Sequence, residues 1–210
     1  MEWRNKLLAG VSHLSTHDPV LAAIIASAPA PTFQPHTQYY QELVESIISQ
    51  QLSVKAAATI LDRFKALFTS DFPSPEEILE KDIDEFRAVG LSRQKASYIR
   101  DLAEKVLDGT VHFDHLDSLP NEEVIAELIQ IKGVGVWTVH MFLLFCMGRF
   151  DVLPVGDLGI RNGIQKLYQL ATRPGDVEIE AIAKKNNWHP YESIASWYIW
   201  HSLDNKPAIN

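Results

Sequence analysis

Cysteine is almost absent from this chain, which has Cys146 alone among its 210 residues. An intrachain disulfide is therefore impossible, which favours a reducing compartment. Iron–sulfur and zinc sites built from four cysteines are excluded for the same reason. The chain is long enough to bury a sizeable core without these covalent or metal supports.

An excess of positive charge is also missing. The chain has 19 lysine and arginine residues against 27 aspartate and glutamate residues, so its formal net charge is −8. This balance argues against a broad electrostatic surface for nucleic acid. Any contact with DNA must be local and must use backbone amides, helix N-termini and a few cations.

Long apolar runs are absent as well. The longest apolar segment, Val134 to Met147, contains His140 and is too short to span a bilayer. The first ten residues, MEWRNKLLAG, are interrupted by charge and do not have the pattern of a signal peptide. We therefore expect a soluble intracellular protein, located in the cytoplasm or nucleoid of a prokaryote or in the nucleus of a eukaryote.

Apolar residues recur with the helical period along most of the chain. One helical face, for example, collects Tyr40, Leu43, Val44, Ile47 and Ile48. Asp18 before a proline predicts a helix start, Ser74 predicts a capping box, and Ser92 predicts a helix over 93–107. Further helices are expected at 121–130, 136–148, 157–170, 177–187 and 190–203. Because no alternating strand pattern is found, we predict an all-α fold.

Two segments are candidate linkers, SAPAPTFQP at 27–35 and HFDHLDSLP at 112–120. They predict N-terminal helices in 1–35 that pack on the C-terminal lobe, a middle helical lobe in 36–115, and a C-terminal lobe in 116–210. A cleft between two helical lobes is the default place for an active site.

Two motifs contain most of the functional information. In LIQIKGVGVWT, Gly133 and Gly135 separate two predicted helices, which gives a helix, a hairpin and a helix. The N–H groups of the second helix could bind a phosphate, although a C-cap glycine and a sharp turn explain the same pattern. In LPVGDLGIRNG, Asp157 precedes a predicted helix. It is either a helix cap or a carboxylate that activates water or stabilises a developing cation.

Three other patterns have structural and functional interpretations. Gln50 and Gln51, in ESIISQQLSV, either belong to a polar loop or provide a side chain that fills a gap in a ligand such as a base stack. The aromatic-rich segment 186–203 contributes either to the core or to stacking on a flat substrate. His13 and His17 are spaced i, i+4 but have no third ligand nearby, so the histidines do not form a metal signature.

Taken together, five segments resemble the helix-hairpin-helix-GPD superfamily of DNA glycosylases. They are LIQIKGVGVWT, PVGD, ESIISQQLS, GLSRQKASYI and SWYIWHSL. Within it, they resemble the 3-methyladenine DNA glycosylase II branch, the alkylpurine DNA glycosylases. The resemblance covers nearly all of the chain from about Tyr39 onward and is closest to the compact type without an N-terminal α/β domain. It implies two helical lobes, a helix-hairpin-helix at about 121–148 and an active-site cleft between the lobes.

The activity implied by the resemblance is base-excision repair. An N-glycosyl hydrolase of the DNA-3-methyladenine glycosylase II type flips alkylated purines, such as 3-methyladenine and 7-methylguanine, out of double-stranded DNA and leaves an abasic site. Asp157 matches the catalytic aspartate. Trp137 stands where bifunctional relatives have a lysine nucleophile, so we expect no lyase activity. We take a monomer as the default state and expect no membrane partner.

Further site residues are implied by position in the family. The base pocket is matched by Trp137, Trp200, Met141, Leu158 and Tyr40. The wedge that replaces the flipped base is matched by Gln51 and Leu52. Contacts with the DNA backbone are matched by Gly133, Val134, Gly135, Val136, Trp137, Thr138, Ser92 and Lys95. No cofactor is required for the chemistry, but a structural Na⁺ or K⁺ at the hairpin is matched by the backbone carbonyls of Ile129, Ile131 and Val134.

Alternatives remain at this stage. A glycosylase for another damaged or mismatched base would need a general acid or specific hydrogen bonds, because a neutral base leaves less readily. A non-catalytic binder of damaged DNA has no use for an acid such as Asp157 near the sugar. A helical interaction module leaves the joint spacing of the motifs unexplained. Leu158 and Gln51 depart from the residues of some relatives, which bears on substrate range and on flipping.

Overall fold

Residues 2–203 are described by the computed structural model. This part of the chain contains helices and no strand, which confirms the all-α prediction. None of the helices within residues 2–203 has the length and apolar character needed to cross a membrane.

The described residues form twelve α-helices. They are α1 (Glu2–His17), α2 (Pro19–Ile25), α3 (Tyr39–Ser49), α4 (Val54–Lys65), α5 (Pro75–Glu80), α6 (Ile83–Ala88), α7 (Arg93–Leu107), α8 (Asn121–Leu128), α9 (Val136–Met141), α10 (Leu158–Leu167), α11 (Asp176–Lys185) and α12 (Glu192–His201). A 3₁₀-helix spans Phe113–Ser118, and a π-helical turn at Phe142–Cys146 follows α9 directly.

The chain divides into two compact units. The terminal unit consists of the described residues up to Pro35 together with those from Leu143 onward, and the central unit is His36–Phe142. Helices α1 and α2 therefore belong to the same unit as α12. The hairpin between α8 and α9 belongs to the central unit, although the sequence predicts it within the C-terminal lobe at 116–210. The physical reason is that the hairpin packs on α7, as described below.

Several helix boundaries follow from caps that the sequence predicts. Ser74 begins α5 with a capping box, in which its N–H donates to Glu77 Oε2 at 2.8 Å. Ser92 begins α7, where its hydroxyl accepts a hydrogen bond from the backbone N–H of Lys95. The predicted helix over 93–107 is confirmed without a shift at either end. Local side-chain chemistry thus sets these boundaries.

Other boundaries differ from the prediction. The segment 112–120, predicted as a linker, contains the 3₁₀-helix, and the side chain of its Leu116 is buried. The helix predicted over 136–148 changes to a π-helical turn at Phe142, and the helix predicted from residue 190 begins at Glu192. In 142–146 most side chains are buried, so the apolar pattern does not distinguish one helical period from another.

A buried aspartate joins distant parts of the terminal unit. Asp18 is 0% exposed and caps α2, where Oδ1 accepts hydrogen bonds from the N–H groups of Val20 at 2.9 Å and Leu21 at 3.1 Å. Oδ2 accepts from Trp188 Nε1 at 2.8 Å and from the Tyr168 hydroxyl. Burial and the bond to Asp18 raise the pKa of Tyr168, so this hydroxyl remains a donor.

Candidate functional site

The hairpin of the central unit contains two glycines with different roles. Gly133 has a φ of +82°, and a Cβ at this position would overlap the ring of Tyr98. Gly135 is the N-cap of α9, with φ −103° and ψ 171°, and a Cβ there would have no described atom within 4 Å. The packing of the protein itself therefore requires glycine at 133. The open space beside Gly135 is available to a ligand.

Helix α7 holds the hairpin through a buried carboxylate. Asp101 is 5% exposed, and its Oδ2 accepts a hydrogen bond from the backbone N–H of Lys132 at 2.8 Å. Its Oδ1 lies 2.8 Å from Lys132 Nζ. Burial alone would raise the pKa of Asp101, but the bonds from Lys132 hold it below the usual range. The hairpin backbone is thus fixed against α7.

The residues after the hairpin glycines divide into buried and exposed positions. Val134 and Thr138 are buried, at 5% and 8% exposure, and anchor the segment. Val136 is 47% exposed and Trp137 is 52% exposed. Val136 and Trp137 thus form two adjacent exposed apolar positions directly after the open glycine.

The loop between α3 and α4 carries the predicted wedge. Gln51 is exposed and has a φ of 58°, which is uncommon for a residue other than glycine. Leu52 is 38% exposed, and the loop ends at Ser53, whose hydroxyl accepts from the N–H of Ala56 and caps α4. The structure therefore places Gln51 and Leu52 at an exposed tip, which we call the wedge tip.

Two residues that the resemblance matches to the DNA backbone lie at the start of α7. Ser92 is exposed and caps the helix. Lys95 is half-buried, and its ammonium donates to the backbone carbonyls of Ile48 at 2.7 Å and Gln50 at 2.6 Å. Lys95 therefore has protein partners that sequence reasoning missed, since they lie 47 and 45 residues away along the chain.

Asp157 in the terminal unit is the N-cap of α10 and is half-buried. Its Oδ1 accepts hydrogen bonds from the N–H of Ile160 at 2.8 Å and from Trp200 Nε1 at 2.8 Å. Arg161 supports the preceding loop, because its Nε donates to the carbonyl of Val155 at 2.9 Å. The carboxylate is thus both a helix cap and an oriented acidic group.

Gly159 is a site residue that sequence reasoning missed. A Cβ on Gly159 would lie 2.9 Å from the Trp200 ring and 3.0 Å from Asp157 Oδ1. A side chain at this position would displace Trp200 from Asp157. The signal in the sequence is a glycine two residues after the aspartate, inside a predicted helix, where glycine is otherwise unfavourable.

The other residues matched to the base pocket are divided between the two units. Leu158 belongs to the terminal unit and is 56% exposed, whereas Met141 lies on α9 of the central unit. Tyr40 lies on α3 within the central unit, where its ring contacts Phe72 and Phe113. Burial raises the pKa of Tyr40, and its hydroxyl is buried among these neighbours. Tyr40 as a whole is half-buried.

The family described as HhH-GPD superfamily base excision DNA repair protein matches residues 44–188, a range that includes the wedge tip, the hairpin and Asp157. This chain belongs to the HhH-GPD superfamily. The HhH-GPD match also covers the cap of α7 and the loop before α10.

Individual HhH-GPD relatives agree with this assignment. DNA-3-methyladenine glycosylase 1 of Schizosaccharomyces pombe is 39% identical over 163 residues, which are 77% of this chain and 71% of the relative. The solved structure of the Schizosaccharomyces pombe 3-methyladenine DNA glycosylase in complex with abasic DNA has a TM-score of 0.77 and 34% identity, over 93% of this chain and 97% of that one. A DNA-3-methyladenine glycosidase from Bacillus halodurans has a TM-score of 0.83 and 35% identity, over 92% and 88%.

These relatives confirm the family and the branch predicted from sequence. The curated and solved proteins similar to this HhH-GPD chain include several named for 3-methyladenine glycosylase activity. The individual site residues remain predictions, whose roles are proposed below.

Proposed function

We propose that this HhH-GPD protein is a DNA glycosylase that releases alkylated purines, such as 3-methyladenine and 7-methylguanine, by hydrolysis and leaves an abasic site. The observation that carries the proposal is Asp157, whose carboxylate is held at the start of α10 by Trp200 and by the N–H of Ile160. The protein would act on double-stranded DNA as a monomer, in the nucleoid of a prokaryote or the nucleus of a eukaryote.

The chemistry needs only one carboxylate. A purine alkylated at N3 or N7 carries positive charge and leaves without a general acid, while the sugar develops the charge of an oxocarbenium ion. Asp157 would stabilise that charge and orient the attacking water. The indole of Trp200 is neutral, so its hydrogen bond to Asp157 orients the carboxylate without cancelling the charge.

Selectivity for a cationic base follows from its contacts with aromatic side chains and from the weakness of its own glycosidic bond. A positively charged purine gains about 0.5–2 kcal/mol against an aromatic face. Trp200, next to Asp157, is in our proposal one such face. Trp137 has no amine, so it cannot form a Schiff base, and the abasic strand stays uncut.

A change at Trp200 tests how the carboxylate is oriented. In Trp200→Phe we expect kcat for base release to fall roughly tenfold, because the aromatic ring is kept and one hydrogen bond to a charged group is lost. Single-turnover base release measures this effect. Phe145, whose ring centroid lies 5.9 Å from that of Trp200, offers a control. Unchanged kcat in Trp200→Phe, with a larger loss in Phe145→Leu, would contradict the orienting role.

DNA would be held by the hairpin rather than by a basic surface. The open space at Gly135 allows the backbone of DNA to approach the backbone N–H groups at the start of α9. Ser92, at the start of α7, would add a second contact. Such local contacts reconcile DNA binding with a net charge of −8.

Two matched glycines test this contact. Gly135 and Gly175 are both helix N-caps with extended backbones and open Cβ positions. We expect Gly135→Ala to weaken binding to duplex DNA with an abasic analogue about tenfold, because the new methyl group crowds the phosphate, whereas Gly175→Ala does not. Both should lower the melting temperature by similar amounts, of no more than about 4 °C. Equal affinities of the two variants for DNA would contradict a contact between the hairpin and the DNA backbone.

The wedge tip and a bound cation complete the proposal. Gln51 and Leu52 would enter the base stack in place of the flipped nucleotide. The carbonyl of Ile129 lies at the C-terminal end of α8, and the carbonyl of Ile131 accepts one hydrogen bond, from Val134 N–H at 3.1 Å. Neutral carbonyl oxygens suit Na⁺ or K⁺, so the carbonyls of Ile129, Ile131 and Val134 would hold the ion and shape the hairpin.

The proposal is tested by base release from methylated duplex DNA. Released bases are separated by chromatography, and the strand is checked for cutting without alkali. Release of 3-methyladenine or 7-methylguanine with an uncut strand is the expected result. Release from other damaged DNA alone would identify a glycosylase for another base. Binding to abasic DNA without release of any base would identify a non-catalytic binder.

A further inference from the structure

Lys95 on α7 approaches the C-terminal end of α3. Its ammonium donates to the carbonyls of Ile48 at 2.7 Å and Gln50 at 2.6 Å. Carbonyls at a helix end lack partners within the helix and carry partial negative charge, so a cation there satisfies them. Burial of this ammonium lowers the pKa of Lys95.

Gln50 connects the same end of α3 to the hairpin. It is the C-cap of α3, and its side-chain Nε2 donates to the carbonyl of Gly133 at 3.0 Å. Its own carbonyl is one of the two that accept from Lys95. Gln50 is therefore fixed at its backbone by α7 and at its side chain by the hairpin, immediately before the residue with the left-handed φ.

We propose that Lys95 and Gln50 are positioning residues that hold the wedge tip in register with the hairpin, and that Lys95 acts on DNA only through this tip. The inference rests on the proposed function, in which Gln51 and Leu52 enter the base stack. The left-handed φ of Gln51 costs energy and persists only when surrounding bonds determine it. A tip that is already ordered does not lose conformational entropy during base flipping.

The tip can be tested in the free protein by amide hydrogen exchange. The N–H groups of Gln50 and Leu52 donate to the carbonyls of Ser46 and Ser49. In Lys95→Met, we expect these two amides to exchange about tenfold faster, because the end of α3 loses its cation. Lys185→Met, on an exposed lysine of α11, is the matched control and should change neither rate. Unchanged exchange in Lys95→Met would overturn the inference.

The role in flipping is tested by comparing two substrates. With an alkylated purine paired in a duplex, Lys95→Met and Gln50→Glu should release the base about tenfold more slowly. With the same lesion opposite an abasic analogue, where flipping costs less, the loss should be under about twofold. Equal losses on both substrates would indicate general damage to the site and would contradict the proposed role of the tip.

Salt dependence separates positioning from phosphate contact. A lysine that neutralises a phosphate adds about one to the magnitude of the slope of log affinity against log salt. We expect the slope for Lys95→Met to equal that of the wild type, and a decrease of about one in its magnitude would overturn the inference. If the wild type releases no base, the proposed function fails, whereas the exchange of Gln50 and Leu52 still decides whether Lys95 orders the tip.

Discussion

Replacing Asp157 by asparagine should lower the release of alkylated purines about 10³-fold, within the range for loss of one catalytic or charge-stabilising group. The amide keeps the size of the carboxylate but removes the charge that would stabilise the sugar cation. Asparagine caps helices about as well as aspartate, so α10 should keep its start. The loss should therefore appear in kcat and not in folding.

Single-turnover release from methylated duplex DNA gives the rate, and thermal unfolding checks the fold. The matched control is Asp82→Asn, since Asp82 is the exposed N-cap of α6. It should release bases at the wild-type rate. If Asp157→Asn retained more than about a tenth of the activity, the catalytic assignment of Asp157 would fall.

The largest expected effect on stability is at Asp18. We expect Asp18→Ala to lower the free energy of unfolding by about 3–5 kcal/mol, because α2 loses its cap and two donors, one buried and one half-buried, lose their acceptor. Those donors are the Tyr168 hydroxyl and Trp188 Nε1. The melting temperature should fall by roughly 10 °C, as judged from the usual scaling for a chain of this size.

Denaturant unfolding measures the change, with Asp82→Ala as the comparison. That variant also removes a helix cap but exposes no buried donor, so its cost should stay near 1 kcal/mol. Tyr168→Phe should cost less than Asp18→Ala, because it removes one partner of Asp18 and leaves the other bonds. A cost at Asp18 no larger than that at Asp82 would show that the buried bonds add nothing.

Local signals in the sequence predict much of this fold. Ser92 and the glycine at 109 bound α7 as expected, and the pair Gly133 and Gly135 predicts the turn between α8 and α9. Helix α6 is missed because six residues are too few to show a helical period. The position and capping role of Asp157 are likewise visible from its neighbours.

Contacts between distant residues are not encoded in such local patterns. The bond from Trp200 to Asp157 spans 43 residues, and the bond from Lys95 to Gln50 spans 45. The sequence therefore matches Lys95 to a contact with the DNA backbone, whereas its ammonium donates to two carbonyls of the protein. The hairpin is placed with 116–210 for the same reason, since Tyr98 and Asp101 hold it from a helix some 30 residues earlier.

The two units also differ in when they can form during synthesis. Residues 36–142 follow one another, so the central unit has all its own partners as soon as Phe142 has left the ribosome. Helices α1 and α2 are synthesised before the central unit, but their partner α12 follows it, and the indole that donates to Asp18 lies 170 residues later. Because contacts of long separation form slowly, these two helices should be secured after the central unit, and until then their apolar faces are exposed to chaperones and proteases.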